Sequence, residues 1–352
     1  MKILFGIILI CINLYAQTTQ KKESSFFDDI FNEVTSTLDS NLSDKIKLET
    51  VKSYINSIKF DDKVDKKKYQ LNIMGHYENF ILLGGYTNNK LTEVKYNKFE
   101  PGVTTDSNFI DQNRSYTRNS NEAQYQISIK IPLYKNFLAT GGDLFTAYTQ
   151  NSYWQVYDND HSRPFRETNY MPELFLEWQP NKRYGESILR KIRFAIIHQS
   201  NGQDVGYSRS WNRTEVYFLF QKENWYYGLN AWHRWKEDKK PSLSDVTSKD
   251  DPNYNLYING DDNPELTNYI GNQRFFVRYN SKYANITLAH QNRIENYDPN
   301  KGNIKLDIAF ASINSNFDFF VRYFNGYGES LIDYNVKIER ISFGILISDW
   351  IN

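Results

Sequence analysis

His198 and Ser200 stand two residues apart, and Asn212 follows on what reads as the next extended segment. A serine hydroxyl beside an imidazole is a nucleophile with its base. A neutral amide on the other side of the ring can fix the tautomer, so the three residue types together suit acyl transfer. Spacing decides whether they can meet. Side chains alternate across a strand with a period of two. This puts His198 and Ser200 on the face of Ile192, Phe194 and Ile196, while Lys191, Arg193, Gln199 and Asn201 share the other face with Ala195 and Ile197. On the following segment Asn212 shares the parity of Thr214, Val216, Phe218 and Phe220, and Arg209, Trp211, Arg213 and Glu215 fall opposite. An antiparallel hairpin with its loop at 201–207 would gather the three on one patch that continues an apolar face. If that face met lipid, polar groups at its edge would be costly unless they paired or functioned, and a nucleophile there would meet a membrane lipid. A plainer description also fits: polar residues are free to occur at the aqueous end of a hairpin, and His-x-Ser is a weak pattern by itself.

Such a hairpin needs a scaffold, and composition narrows the choice. The chain has 352 residues, 42 basic and 42 acidic, with a net charge of +0, and its mean hydropathy is -0.67. That balance gives no electrostatic basis for binding nucleic acid. Beyond the N-terminal segment no apolar run approaches the roughly 20 residues of a spanning helix. Disorder is excluded as well, because 27 Tyr and 23 Phe can bury a large apolar surface. What remains is a large soluble all-β domain, or an outer-membrane barrel whose apolar residues are hidden by alternation. Residues 1–16 read as a signal peptide, with Lys2, an apolar run from Ile3 to Ile12, and Ala16 at the cleavage point. Cys11 lies inside that run, so the mature chain is expected to lack both disulfides and a thiol nucleophile. From 17 to 70 the composition is Lys, Asp and Glu with Phe31, Val34, Leu38, Leu42, Ile46 and Ile58 at mostly helical spacing, a partly helical periplasmic extension.

From 71 to 352 the pattern changes to short alternating runs separated by turn residues. Twelve candidate strands fall at 73–88, 122–135, 141–156, 169–180, 189–200, 208–223, 225–236, 267–280, 283–292, 303–314, 316–326 and 335–348. Their connections alternate. Long polar stretches lie at 89–121, 157–168, 237–266 and 293–302, and tight turns at Lys222-Glu223-Asn224, Asn280-Ser281-Lys282 and Ile313-Asn314-Ser315. A soluble sandwich has no reason to shorten every second connection, whereas an outer-membrane barrel has short periplasmic turns and longer extracellular loops. The expectation is a twelve-stranded antiparallel transmembrane barrel whose fifth strand runs outward, with the patch at the depth of the outer leaflet.

His198-Gln199-Ser200-Asn201-Gly202, followed by Ser208-Arg209-Ser210-Trp211-Asn212-Arg213, resembles the signature of the outer membrane phospholipase A family of Gram-negative bacteria. So do Tyr148-Thr149-Gln150 with Ser152 and Trp154, Pro164-Phe165-Arg166-Glu167-Thr168-Asn169-Tyr170, Asp261-Asp262-Asn263-Pro264, and Gly326 through Tyr334, all in family order. The resemblance implies calcium-dependent hydrolysis of acyl esters (sn-1 and sn-2) of phospholipids and lysophospholipids by a homodimer. His198 would be the base, Ser200 the nucleophile and Asn212 the third member, with the Gly202 N–H in the oxyanion hole. Calcium would be held by Ser208, by the backbone carbonyl of Gln203 and by Ser162 of the other subunit, and Gln150 would lie at the dimer interface.

Other residues carry plainer expectations. His76, His233 and His290 read as barrel or loop histidines, and His161 as shaping the loop of Ser162. Asp204 and Asp262 are candidates for a second, looser calcium, although acidic loop residues are usually solvated. Trp178, Trp225 and Trp350 suit interfacial aromatic girdles. The chain ends Asp349-Trp350-Ile351-Asn352 rather than on the family's aromatic residue. The rival readings are a non-catalytic porin or surface-binding barrel, which would place its functional polar residues in the lumen, and a lipopolysaccharide deacylase, which would not predict the Ser162 and Ser208 matches.

Overall fold

The structure is a computed structural model and describes residues 72–87, 119–159, 162–203, 207–241, 246, 250–312 and 316–349. The expected signal peptide, the extension up to residue 71, Trp350, His161 and Asp204 lie outside the described residues. Twelve long strands follow: β1 Asn79–Thr87, β2 Asn121–Tyr134, β3 Asp143–Trp154, β4 Glu167–Trp178, β5 Ser187–Ser200 and β6 Ser210–Lys222. The second half comprises β7 Trp225–Arg234, β8 Gln273–Asn280, β9 Ala284–Asn292, β10 Asn303–Phe310, β11 Asp318–Gly326 and β12 Ile338–Ser348. Each pairs antiparallel with the next, and β12 returns to pair with β1, so the sheet closes as an up-and-down barrel with no free edge. Met74–Gly75 adds a short pairing to β2, and Lys182–Tyr184 one to β5.

The alternation that hides the apolar residues in the sequence becomes an inside-out distribution. Leu83, Ile127, Leu174, Ile196, Leu288, Phe319, Ile341 and Phe343 are exposed on the outer surface. The interior holds buried charges, most of them in ion pairs, as burial favours. Arg193 donates to Glu215 at 2.8 Å, His76 meets Glu173 at 3.1 Å, and Arg322 donates to Asp307 at 2.7 Å. Aromatic rings fill the space between them; Phe175 stacks on Phe145, with centroids 5.3 Å apart. The negative mean hydropathy of the chain is therefore the average of an apolar skirt and an ionic core.

Two expectations are corrected. The segment 267–280 is not one strand. Leu266–Ile270 is a short helix, here α2, with Leu266 and Ile270 buried, and β8 starts only at Gln273 after Gly271 turns the chain with φ 74. Leu266 and Ile270 cluster with the inward Trp211 and with Leu331 and Tyr334, so tertiary packing at the barrel mouth overrides a strand-like pattern. A second helix, α1 at Tyr254–Asn259, lies in the same connection. Trp178 does not join an exposed girdle. It is 1% exposed, its indole N–H donates to the Thr140 carbonyl at 3.1 Å, and the ring fills the space left by Gly142, where a Cβ would come within 2.5 Å of it. Trp225 is exposed and leans on Tyr279, as a girdle residue should.

Candidate active site

The β5–β6 hairpin pairs Ile192 with Phe218, Phe194 with Val216, Ile196 with Thr214, His198 with Asn212 and Ser200 with Ser210. Directly opposed residues share a face, so the patch expected from parity forms, and it forms on the outer surface beside the exposed Ile196. His198 Nδ1 and Asn212 Oδ1 lie 2.8 Å apart. An amide oxygen only accepts, so Nδ1–H is the donor, which in a neutral ring leaves the lone pair on Nε2. Ser200 continues the face one pleat further along β5, flanked by Ser210 on β6 and Tyr170 on β4. Gln150 lies in the same row, since Tyr170 pairs with both Gln150 and Ser200, and its amide donates to the Tyr125 hydroxyl at 3.3 Å. It shares the outward face of the exposed Tyr148, although a lone strand glutamine reads by itself as a lumen residue.

Behind the patch the hairpin is tied inward. Gln199 Oε1 accepts from the Trp211 indole at 3.2 Å and from Arg213 at 3.1 Å. This backing restrains the backbone that carries His198 and Ser200.

The described ends of the loop, 201–203 and 207–209, are tied together by one buried amide. The Asn201 Nδ2 donates to the Tyr207 carbonyl at 2.9 Å, and its Oδ1 accepts from the Arg209 N–H at 2.8 Å and the Gln203 N–H at 3.4 Å. Both ends of the loop are therefore gathered beside Gly202, whose φ of 63 is left-handed and whose Cα faces the Tyr170 ring. Gln203 and Ser208 stand at the two ends of this loop. Ser162 lies on the separate loop 155–166, where its carbonyl accepts from the Trp154 indole at 2.8 Å.

That second loop is clamped at Arg166, which donates to Asp333 at 2.7 Å and to Glu122 at 3.0 Å. Burial opposes the Arg166 charge, but the Glu122 and Asp333 carboxylates outweigh it and hold the guanidinium firmly protonated. Glu167 accepts from the Ile332 N–H and Asn169 from the Leu331 N–H, so the motif around Pro164–Tyr170 and the motif around Gly326–Tyr334 are two halves of one contact.

Among the described residues no group of three or more His, Cys, Asp or Glu could hold a metal. A hard cation also takes neutral oxygens from hydroxyls and backbone carbonyls. Gln203 and Ser208, next to the backbone groups that Asn201 ties together, offer a carbonyl and a hydroxyl of this kind. Asp262 is ion-paired to Lys240, and Asp261 to Arg234, which argues against a second calcium at Asp262. His76 is the buried partner of Glu173, and His290 Nδ1 lies 3.1 Å from the Asn303 carbonyl. His233 pairs with Thr214, so it lies on the outer face near the patch without a metal-ligand cluster.

Sequence reading missed Glu237. The Asn212 Nδ2 donates to Glu237 Oε1 at 2.9 Å. The chain after β7 keeps its register, because the Trp235 N–H donates to the Asn212 carbonyl at 2.8 Å and the Trp235 indole to Thr214 at 2.9 Å. Glu237 sits in a stretch that reads as loop, and only this continued pairing could have signalled it.

A family model described as Phospholipase A1 matches residues 57–347. Phospholipase A1 of Escherichia coli K12 is 27% identical over 278 residues, covering 79% of this chain and 86% of that protein. The structure of outer membrane phospholipase A from Escherichia coli superposes with a TM-score of 0.61 at 25% identity, covering 79% of this chain and 99% of that one. The Salmonella typhi outer membrane phospholipase, described as a dimer with bound calcium, gives 0.62 at 24% identity over 81% of this chain and 95% of that one.

Proposed function

The chain belongs to the phospholipase A1 family and is an outer-membrane barrel, and from this premise we propose that it hydrolyses the sn-1 and sn-2 acyl esters of phospholipids and lysophospholipids from the lipid-facing side of that barrel. The observation that carries the reading is the 2.8 Å contact of His198 with Asn212 on the outer face, with Ser200 next along the same face. A pore would have no use for these groups in that position, and its lumen would not be filled with paired charges and rings.

In this reading Ser200 Oγ attacks the ester carbonyl while His198 Nε2 takes its proton. Asn212 holds the ring in the tautomer that leaves Nε2 free and stabilises the imidazolium that forms. The Gly202 N–H donates to the oxyanion. His198 then returns the proton to the departing alcohol of the lysolipid, and a water, activated in the same way, releases the fatty acid from Ser200. A calcium ion held by Ser208, the Gln203 carbonyl and Ser162 of a second copy would add positive charge beside the oxyanion. Dividing the donors between two copies makes dimerisation the switch, with Gln150 on the surface that meets the second copy.

The test is fatty-acid release from phospholipid micelles by the purified barrel, with calcium, with a chelator, and as Ser200→Ala. Removal of a nucleophile that acts with its base costs on the order of 10⁶ in kcat, so the alanine variant is expected at background. Release at the wild-type rate by that variant or by the chelated enzyme would overturn the mechanism.

A further inference from the structure

We propose that Glu237 is a positioning residue of the triad, acting through Asn212. The inference rests on the triad reading above. An asparagine side chain is nearly symmetric in shape, and turned by half a rotation it would present NH₂ instead of C=O to His198. That flipped amide would force Nδ1 to accept and would move the ring proton to Nε2, the atom that must take the proton of Ser200.

Nothing on the His198 side forbids the flip, because imidazole can donate or accept. The carboxylate on the other side does. Ionised Glu237 only accepts, so the amide edge 2.9 Å from it must be Nδ2, and the edge 2.8 Å from His198 must be Oδ1. The order of donors is therefore set from Glu237 inward: Asn212 to Glu237, His198 to Asn212, and finally the free Nε2.

Glu237 is itself held in place. The Trp235 contacts extend the β6–β7 pairing past Arg234. Further along, Lys239 bridges to Asp261, the Asp261 N–H donates to the Asp238 carbonyl at 2.7 Å, and Lys240 ion-pairs with Asp262. The Asn263 side chain of the same segment accepts from the Ser210 N–H at 3.1 Å, one pleat from Asn212 on β6. The Asp261–Asn263 segment thus braces both the strand that carries Asn212 and the stretch that carries Glu237. A triad whose third member is an amide gains from such a brace, since an aspartate in that place would have no wrong orientation.

The experiment measures kcat and KM for lipid hydrolysis by Glu237→Ala, Glu237→Gln, Asn212→Asp and the double variant Asn212→Asp/Glu237→Gln, with Ser200→Ala alongside. Glu237→Ala is expected to lose about tenfold in kcat, the scale of one orienting hydrogen bond to a charged group, with KM within about twofold. Glu237→Gln, whose amide can donate as well as accept and so no longer forbids the flip, should recover only part of that loss. In Asn212→Asp a second carboxylate faces Glu237, so adding Glu237→Gln should raise activity there although it lowers it in the wild type. A bracing role alone would not produce that reversal of sign. The proposal is overturned if Glu237→Ala keeps the wild-type kcat, if its loss lies in KM, or if the double variant is no better than Asn212→Asp. Should the alanine variant fail to fold, the near-isosteric glutamine pair still decides. An inactive Ser200→Ala with wild-type Glu237 variants removes only this assignment, whereas an active Ser200→Ala removes the triad reading beneath it.

Discussion

Gly202→Ala is a one-carbon change at the end of the barrel, and its expected effect can be worked out from two independent features of the loop. The backbone there has φ 63, which only glycine adopts without penalty; an alanine pays about 1–2 kcal/mol. The added Cβ would also lie 3.1 Å from the edge of the Tyr170 ring, closer than carbon atoms normally pack, so the ring or the loop must give way by a few tenths of an ångström. At 1.4 kcal/mol per factor of ten, the backbone term alone leaves the loop in its native conformation about 5- to 30-fold less often. If the Gly202 N–H donates to the oxyanion, loss of its aim approaches the 10²–10³ typical of a missing donor. The expected kcat therefore falls between about tenfold and a thousandfold, while barrel stability drops by no more than the roughly 1–2 kcal/mol of loop strain, since the one strand residue met is Tyr170 at the end of β4. The assay is fatty-acid release at saturating calcium and substrate, with gel mobility of the unheated barrel as the folding control. Gly202→Asn separates the two causes, since asparagine tolerates a left-handed backbone but carries the same Cβ. The expected order is Gly, Asn, Ala, Val. Wild-type rates for both the alanine and valine variants would refute the placement of Gly202 at the reacting carbonyl.

Asn201→Ala removes the amide that joins the two ends of the loop. Activity should fall and the calcium needed for half-maximal activity should rise severalfold, read from a calcium titration of lipid hydrolysis; an unchanged midpoint would separate the loop from the metal. Arg166→Met takes the Arg166 cation from Asp333, while Glu122 keeps Arg340 at 3.2 Å. Breaking a buried pair in this way costs about 3–5 kcal/mol, so the urea midpoint of the barrel should drop clearly, and an unchanged midpoint would show that the clamp is not needed for stability.

Most of the barrel was legible because its rule is local. The outward face of β5 was assigned from Ile192, Phe194, Ile196 and His198 by counting in twos, and the same count set Arg193 inward against Glu215. Counting fails where a side chain's partner comes from a distant segment. Leu266 and Ile270 carry no sign of Trp211, Leu331 and Tyr334, which bury them and turn that stretch into α2. Trp178 gives no hint that the turn at Thr140 and Gly142 covers it. Glu237 is the sharpest case, because its role depends on a register that runs three residues past the end of β7.

The inward side of the hairpin bears on how the outward patch of His198, Ser200 and Asn212 is held. Within one copy of the barrel, what holds the outward hairpin in place, apart from Glu237 beside Asn212, must come from the side facing inward. That side supplies it: Gln199 binds Trp211 and Arg213, and Arg213 lies above the Trp211 ring at 4.2 Å. Trp211 in turn packs into the cluster at the barrel mouth with Leu266, Ile270, Leu331 and Tyr334. A pore would have to give up these contacts to conduct, and the patch would then lose its backing. On the proposed reading, these inward contacts behind β5 and β6 would be what lets Ser200 act as a nucleophile on the outer face.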